Sequence, residues 1–372
     1  MKKSMTPFCD GAKKKVVIGM SGGVDSSVAA ALLVRSGFEV VGMTMKLWHY
    51  ESLTCPASDN LCCSLESVEA ARRISRKLGI DYFVINCEDR FKKEVVDDFI
   101  HNYSIGMTPN PCVVCNEKLK FGHFDSKAQI LESDYVATGH YASCTYDNAS
   151  GRYLLSRAFD KKKDQTYVLY RLNQEQLKRT IFPLENMTKA EVRDMAKELD
   201  IEVADKPESQ DVCFVPGGDY RQFLKEYVPA LSVQGDIVDV NGKVLGKHDG
   251  IAMYTIGQRK GLGSLSDTPM YVTEICVEEN KVVVGKACDT KGKSLIASRL
   301  NFIAFDKLTS DMRVGAKIRY KSPEASATII PIDDDRVKVV FDEDQNAITA
   351  GQSVVFYDGD LVLGGGIIEK DQ

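Results

Sequence analysis

Two stretches of this 372-residue chain carry residue types that could do chemistry. The first is Val16-Val17-Ile18-Gly19-Met20-Ser21-Gly22-Gly23-Val24-Asp25-Ser26-Ser27-Val28. A β-branched apolar run reads as a buried parallel strand, Ser21–Asp25 as a turn with two adjacent glycines, and Ser26–Val34 as a helix. Strand, glycine turn and helix N-terminus together aim backbone N–H groups and the helix dipole at one point, which makes an anion cradle. Ser21 and Ser26 add hydroxyl donors. The loop lacks the Gly-Lys-Ser/Thr ending that places a lysine on β- and γ-phosphates, and no lysine lies between Lys15 and Lys46. With Asp25 where that cation would stand, the expectation is a metal-mediated grip on a pyrophosphate group. An ordinary βα turn with Ser and Gly caps has the same outline.

The second stretch is Thr108-Pro109-Asn110-Pro111-Cys112-Val113-Val114-Cys115-Asn116. Its two prolines exclude regular helix or strand and predict a rigid loop leading into a helix N-terminus, where a thiolate is stabilised. A Cys-x-x-Cys pair serves redox or sulfur chemistry, half of a zinc site, or part of an iron–sulfur site, and inert thiols remain a fourth reading. Cys213, from a distant loop, supplies a third thiol; Cys62, Cys63 or a histidine could supply a fourth. A pyrophosphate-gripping loop that resembles the loop of ATP-dependent adenylating enzymes, joined to reactive cysteines, suggests sulfur transfer onto an activated oxygen. Adenylation turns a poor leaving group into a phosphate ester, and a persulfide or hydrosulfide then displaces AMP.

The elements that must position these residues alternate strand and helix. Val40–Met45 is a second strand; Leu65–Leu78 is a helix with Leu65, Val68, Ala71, Ile74 and Leu78 as its apolar stripe. Its outer face carries Arg72, Arg73, Arg76 and Lys77, read as solvated with RNA contact as the minority reading. Tyr82–Cys87 is a strand, Phe91–Tyr103 and Leu119–Leu131 are helical, and Tyr135–Thr138 is a strand. The pattern predicts a doubly wound parallel sheet, with ligand beyond the strand carboxyl ends, where Ser21–Asp25, Met45 and Gly139-His140 fall. Thr188 caps a helix to Leu199, with Glu191 completing a capping box. Past residue 230 short strands take over. Asn241-Gly242 turns one hairpin, and Tyr271–Val277 with Lys281–Gly285 makes another. Ile318–Tyr320, Ala327–Ile332, Arg336–Phe341, Ser353–Tyr357 and Leu361–Ile368 follow, as a β-barrel would require. The expected division is a catalytic nucleotide domain at 1–209, a small central β-rich domain at 210–288 contributing Cys213, and a C-terminal β-barrel at 289–372.

Composition narrows the class. Apolar residues make up 44% and charged residues 27%, as in a soluble globular protein. No apolar run reaches the length of a membrane span, and Lys2 and Lys3 are not followed by an apolar secretory core, so a cytoplasmic protein is expected. With 48 basic against 53 acidic residues, a nucleic acid would be held by local patches, not by the overall field. Eleven cysteines fall far below the density of a disulfide scaffold.

The Ser-Gly-Gly-Val-Asp-Ser run resembles the pyrophosphatase loop of ATP-dependent adenylating enzymes, among them tRNA thiolases, GMP synthetase and argininosuccinate synthetase. Over nearly its whole length the chain resembles the bacterial tRNA-specific 2-thiouridylases. The matching motifs are residues 19–26, Met-Lys-Leu-Trp at 45–48, Thr-Pro-Asn-Pro at 108–111 and Ala-Thr-Gly-His-Tyr at 137–141. They continue with Lys-Asp-Gln at 163–165, Cys-Phe at 213–214, Gly-Gln-Arg-Lys-Gly-Leu-Gly at 257–263, Arg-Tyr at 319–320 and the Leu-Gly-Gly-Gly-Ile-Ile-Glu ending.

The resemblance implies that Gly19, Met20, Ser21, Gly22, Gly23, Val24, Asp25, Ser26, Met45 and Gly139 bind ATP, with Mg2+. It implies that Asn110, Pro111 and Cys112 approach the wobble uridine of Lys, Glu and Gln tRNAs, and that Lys163, Asp164, Gln165, Arg319 and Tyr320 contact the tRNA. Cys213 would carry the persulfide and Cys115 would free the sulfur, ending in a disulfide with Cys213; a sulfur-relay protein or cysteine desulfurase would feed it. Many members have Asp at the position of Cys112. Cys112, Cys115 and Cys213 would suit a [4Fe-4S] cluster with one open iron, as in thiolases that use three cysteines, so persulfide relay and cluster chemistry both stand at this point. The rivals are an adenylating enzyme for a small amide or acid, and a non-catalytic nucleotide-binding RNA regulator.

Overall fold

The computed structural model describes residues 8–9, 12–48, 65–201, 212–263 and 265–370. They form two compact units. Unit 1 takes the described residues of 1–94, 112–217 and 360–362, and unit 2 those of 95–111, 218–359 and 363–372.

Unit 1 is a five-stranded parallel sheet wrapped by helices. Its elements begin with β1 (Lys15–Gly19), α1 (Val24–Arg35), β2 (Glu39–Lys46), α2 (Leu65–Leu78), β3 (Asp81–Asn86) and α3 (Glu88–Phe91). The sheet continues with β4 (Tyr135–Ala137) and, after α7 (Gln174–Arg179), ends at β7 (Thr180–Ile181), in spatial order β3-β2-β1-β4-β7. All four pairings are parallel, so every strand delivers its carboxyl end to one edge. The first strand is central and its Val16, Val17 and Ile18 are fully buried, the reason its run is apolar without alternation. Val28, Ala29, Ala30 and Leu33 of α1 share that core with Val192 and Ala196 of α8 (Lys189–Glu198). The Thr188–Glu191 capping box forms as expected, each side chain bonding the other residue's backbone N–H.

Two local expectations of this unit change. Leu65, assigned to the apolar stripe of α2, is exposed. The helix expected at Leu119–Leu131 starts earlier, at α5 (Pro111–Val114), and runs through a π-helical stretch Cys115–His123 into α6 (Phe124–Ile130). Proline at the first helical position costs no hydrogen bond, which is why Pro111 opens that helix instead of blocking it. The segment after Tyr141 is a hairpin of β5 (Ala142–Asp147) and β6 (Arg152–Arg157), with Ser156 paired to Leu361.

Unit 2 is built from strands. One sheet runs β9-β8-β11-β10, from β8 (Gly235–Asp239), β9 (Val244–His248), β10 (Tyr271–Cys276) and β11 (Lys281–Gly285). Gly242 takes φ +84° in the first hairpin, the conformation that an Asn-Gly turn requires. The second is a closed barrel of β12 (Lys291–Phe302), β13 (Met312–Lys317), β14 (Ala325–Pro331), β15 (Val337–Asn346), β16 (Ser353–Asp358) and β17 (Leu361–Ile368). Its order is β12-β15-β14-β13-β16-β17, closed by β12 on β17, which leaves no free edge. The expected strand Ile318–Tyr320 is instead the turn after β13. α4 (Asp97–Ser104) and the proline loop behind it also belong to unit 2.

Among the described residues no helix is long and apolar enough to cross a membrane.

Candidate active site

The glycine turn sits at the carboxyl end of the central strand. Gly22 has φ +72°, and a β-carbon there would lie 2.2 Å from the Ser67 carbonyl oxygen, so only glycine fits. Gly23 caps α1 with no side-chain hydrogen bond to the first turn. The serine hydroxyls turn inward. Ser26 Oγ and Ser27 Oγ donate to the Gly23 carbonyl at 3.1 and 2.7 Å, and Ser21 N–H donates to Ser26 Oγ at 3.2 Å. These bonds fold the turn back on α1 and hold its shape. Thr44 Oγ1 of β2 donates to the Met20 carbonyl at 2.6 Å, tying the turn to the neighbouring strand. Met45 follows at the end of β2. Gly139, just past β4, meets α1 so closely that a β-carbon would lie 2.8 Å from Ser26 N.

Sequence reasoning found no cation for this loop; the fold brings one. Lys189 Nζ donates to both carboxylate oxygens of Asp25, at 2.7 and 2.8 Å, across 164 residues of chain. Tyr141 Oη donates to the same carboxylate at 2.9 Å. Lys189 and Tyr141 are buried, whereas about a third of the Asp25 side chain is exposed. No local signal marks Lys189, because its partner comes from another element.

His140 is packed between the Phe121 and Phe182 rings, with Nδ1 2.8 Å from Thr138 Oγ1. Burial, with a smaller push from the Lys120 ammonium, holds its imidazole well below the usual histidine range. It is a neutral packing residue at neutral pH.

Of the cysteines, Cys112 lies in the first turn of α5 and is exposed; Cys115 lies one turn further on and is buried. The N-terminal field that stabilises a thiolate fades within that first turn. Cys213 is half-buried and its neighbour Phe214 is fully buried. Ring centroids place Phe214 6.4 Å from Trp48, just past β2, and 5.6 Å from Phe91, just past β3. Those rings hang the Cys213 loop on the carboxyl edge of the sheet, the edge that carries the glycine turn. They also give Trp48 the partners that its sequence context did not reveal. Cys87 lies on the same edge, but burial pushes its thiol up to about 11, which keeps it protonated at neutral pH. Cys62 and Cys63 lie outside the described residues.

The remaining expected contacts are distributed over both units. In unit 1 the Asp164 carboxylate accepts from Thr166 N–H and Oγ1 at 3.2 and 2.9 Å. Gln165 brackets Tyr141, accepting its N–H on Oε1 at 2.9 Å while Gln165 N–H donates to its carbonyl at 3.0 Å. Lys163 precedes them in the same turn, half-buried. In unit 2 Arg319 donates through Nη2 to the Asn346 carbonyl at 3.0 Å and also to that of Ala347; Tyr320 is exposed. The proline loop of unit 2 is fastened by its backbone. Thr108 N–H donates to Ala350 O at 2.9 Å, and Gln352 Nε2 donates to the Thr108 and Pro109 carbonyls at 2.9 and 3.1 Å. Asn110 is half-buried and Pro111 buried.

Among the described residues no three His, Cys, Asp or Glu side chains converge as metal ligands. A [4Fe-4S] cluster on Cys112, Cys115 and Cys213 would need all three thiolates at one iron–sulfur core. Mg2+ asks less of a protein. It takes one or two carboxylates and completes its shell with phosphate and water, and the part-exposed Asp25 carboxylate fits that role.

Three family models match consecutive stretches: a tRNA methyl transferase HUP domain over residues 14–217, a tRNA methyl transferase PRC-barrel domain over 221–286, and an aminomethyltransferase β-barrel domain over 292–368. A tRNA-specific 2-thiouridylase MnmA of Acetivibrio thermocellus is 51% identical, covering 96% of this chain and 100% of that protein. One from Clostridioides difficile is 51% identical, covering 96% and 98%. Among solved structures, a 4-thiouridine synthetase–RNA complex with bound ATP aligns at TM-score 0.33 and 19% identity, over 58% of this chain and 50% of that one, a likeness too slight to argue from. Matched along almost its entire length, the chain belongs to the MnmA family of tRNA-specific 2-thiouridylases.

Proposed function

We propose that this chain is an ATP-dependent sulfurtransferase that replaces the C2 oxygen of a tRNA wobble uridine with sulfur. The observation that carries the reading is 51% identity to a 2-thiouridylase over 96% of this chain and all of that relative. The glycine turn supports the ATP half of the reaction, and the ring-anchored Cys213 loop on the same sheet edge supports the sulfur half.

In the first half, the uracil C2 oxygen attacks the α-phosphorus of ATP. The O–P bond forms, and pyrophosphate leaves with the electron pair of the broken α–β bridge. The N3 proton passes to solvent. The first turn of α1, capped by Gly23 without a side-chain bond, offers backbone N–H groups to the phosphates. Mg2+, when bound, neutralises phosphate charge, and Asp25 is the residue that would hold it.

In the second half, the outer sulfur of a Cys213 persulfide attacks C2. A C–S bond forms, the C2–O bond breaks and AMP departs. The Cys115 thiolate then attacks Cys213 Sγ; the S–S bond breaks toward the RNA sulfur, leaving 2-thiouridine and a Cys115–Cys213 disulfide. A dithiol reductant resets the pair. Asn110, Pro111 and Cys112 approach the base, while Lys163, Asp164, Gln165, Arg319 and Tyr320 contact the tRNA. The substrates are the tRNAs for Lys, Glu and Gln, and the donor is a sulfur-relay protein or cysteine desulfurase, in the cytoplasm.

The test incubates the protein with such a tRNA, ATP, Mg2+ and a persulfide donor, and reads the nucleosides by mass spectrometry. The expected product is 2-thiouridine with AMP in equal amount. AMP without thiolated RNA would redirect the reading to a small amide or acid. Neither product would leave a nucleotide-binding RNA regulator.

A further inference from the structure

The run Gly-Gln-Arg-Lys-Gly-Leu-Gly at 257–263 has no part in the reaction as proposed, yet unit 2 holds it firmly. Gln258 does most of the fastening. Its N–H donates to the Thr255 carbonyl at 3.0 Å, its Oε1 accepts from Thr255 N–H at 3.1 Å, and its Nε2 donates to the Lys260 carbonyl at 2.9 Å. Two backbone bonds tie the loop to β10: Gly257 N–H to the Val272 carbonyl at 2.8 Å, and Val272 N–H to the Gln258 carbonyl at 3.0 Å. What this frame presents is positive. Arg259 and Lys260 are exposed, and among the described residues neither side chain makes an ion pair. Other surface cations of unit 2 are neutralised, Lys225 by Asp249, Lys247 by Asp236, Arg313 by Asp342 and Arg336 by Asp333. Arg221, itself paired with Asp219 at 3.3 Å, lies against the same loop: a β-carbon on Gly261 would be 2.6 Å from its Nη1. Adjacent like charges on a fixed loop repel, and an anion between them relieves that repulsion.

The loop stands between the two groups of unit 2 that the tRNA reading gives to RNA. On one side Thr108 Oγ1, at the start of the proline loop, donates to Thr255 Oγ1 at 3.4 Å. On the other, Gly257 abuts Ala347, where a β-carbon would lie 2.5 Å from Ala347 Cβ, and the Ala347 carbonyl accepts from Arg319. We infer that Arg259 and Lys260 form an RNA-backbone site, gripping two phosphates of the strand that passes from the proline loop toward Arg319 and Tyr320. The Arg259 guanidinium offers a planar fork of N–H donors to one phosphate, and the Lys260 ammonium a compact charge to the next. Such contacts fix the position of the RNA and carry no base preference. With a net charge of −5, the chain attracts RNA only through local sites of this kind. The inference rests on the tRNA reading and adds to it a binding segment.

Gel-shift titrations of a wobble-uridine tRNA are run on the full chain over a range of salt concentrations. The double variant Arg259→Ala/Lys260→Ala should bind about tenfold more weakly at low salt. The slope of log affinity against log salt should become shallower by roughly 1.4–1.8, the counterions released by two phosphate contacts. ATP affinity by calorimetry and the melting temperature should not move, and in thiolation assays KM for tRNA should rise with kcat within about twofold. Lys243→Ala is the control: Lys243 is also exposed and without an ion pair among the described residues, but it lies on the Asn241-Gly242 turn. An unchanged salt slope in the double variant would overturn the assignment, as would an equal loss in Lys243→Ala. Unchanged tRNA binding with thiolation lost only when a protein supplies the sulfur would overturn it too, and would give the loop to that donor. Binding of tRNA without 2-thiouridine formed would sink the thiolation reading and leave this site standing; no tRNA binding by the unmodified chain would sink both.

Discussion

Adding a single methyl group at Gly139 tests whether the end of β4 shapes the nucleotide site. The backbone there is not left-handed, so Gly139→Ala carries no conformational strain of its own, and the whole effect is steric. The new carbon would sit 2.8 Å from Ser26 N, 2.9 Å from the Asp25 carbonyl carbon and 3.0 Å from Ser26 Cα. All three are backbone atoms of the first turn of α1, and none can swing aside as a side chain would. Either α1 or the strand exit must retreat by several tenths of an ångström. Overpacking of this kind costs about 1–3 kcal/mol. For a unit of this size that corresponds to a fall in melting temperature of roughly 2–12 °C. The displaced atoms include the N–H groups proposed to face phosphate, so ATP affinity should fall about tenfold, equivalent to about 1.4 kcal/mol. Gly79→Ala is the control. It has φ +66° and nothing within 4 Å, so it carries about 1–2 kcal/mol of left-handed strain without touching the turn. Melting curves and ATP calorimetry on both variants decide the matter. If Gly139→Ala melted and bound ATP like the unmodified chain, the close approach of Gly139 to α1 would not govern the site.

Phe214→Ala removes a ring packed on Trp48 and Phe91 and should destabilise unit 1 by about 3–5 kcal/mol, read by urea unfolding, with thiolation falling further than tRNA binding. Cys213→Ala should abolish 2-thiouridine formation by mass spectrometry while tRNA affinity in gel-shift assays stays within about twofold, a difference below 0.5 kcal/mol. Gln352→Ala removes two bonds to the proline loop, worth about 0.5–1.5 kcal/mol each, and should lower the thiolation rate while leaving ATP affinity unchanged in calorimetry. His140 has a folded-state pKa well below 6.5, so the unfolded chain binds the extra proton first as pH falls. Its contribution is therefore fully present above about pH 6.5 and is lost as pH drops toward the folded value, at up to about 1.4 kcal/mol per pH unit. Urea midpoints at pH 7.0 and 5.5 should differ less in His140→Gln than in the unmodified chain.

What the amino-acid order determined by itself was local and repetitive. The buried run Val16–Ile18 followed by two glycines, the Thr188–Glu191 box, the Asn241-Gly242 hairpin and the strand Leu361–Ile368 each depend on neighbours a few residues apart, so periodicity and turn chemistry sufficed. The family was legible for the same reason, since its motifs are short and ordered along the chain. Tertiary structure decided everything that joins remote residues. Nothing near Asp25 predicts Lys189, because an ion pair spanning 164 residues depends on how α1 packs against α8. Nothing around Cys213 predicts that Phe214 reaches Trp48 and Phe91, since aromatic side chains carry no address for their partners. The strand assigned to Ile318–Tyr320 became a turn because barrel closure, not β-branched content, sets where β13 stops. Likewise, the proline loop and the cysteines behind it are contiguous in sequence, yet the chain passes from unit 2 to unit 1 between Pro111 and Cys112, a division made by packing alone.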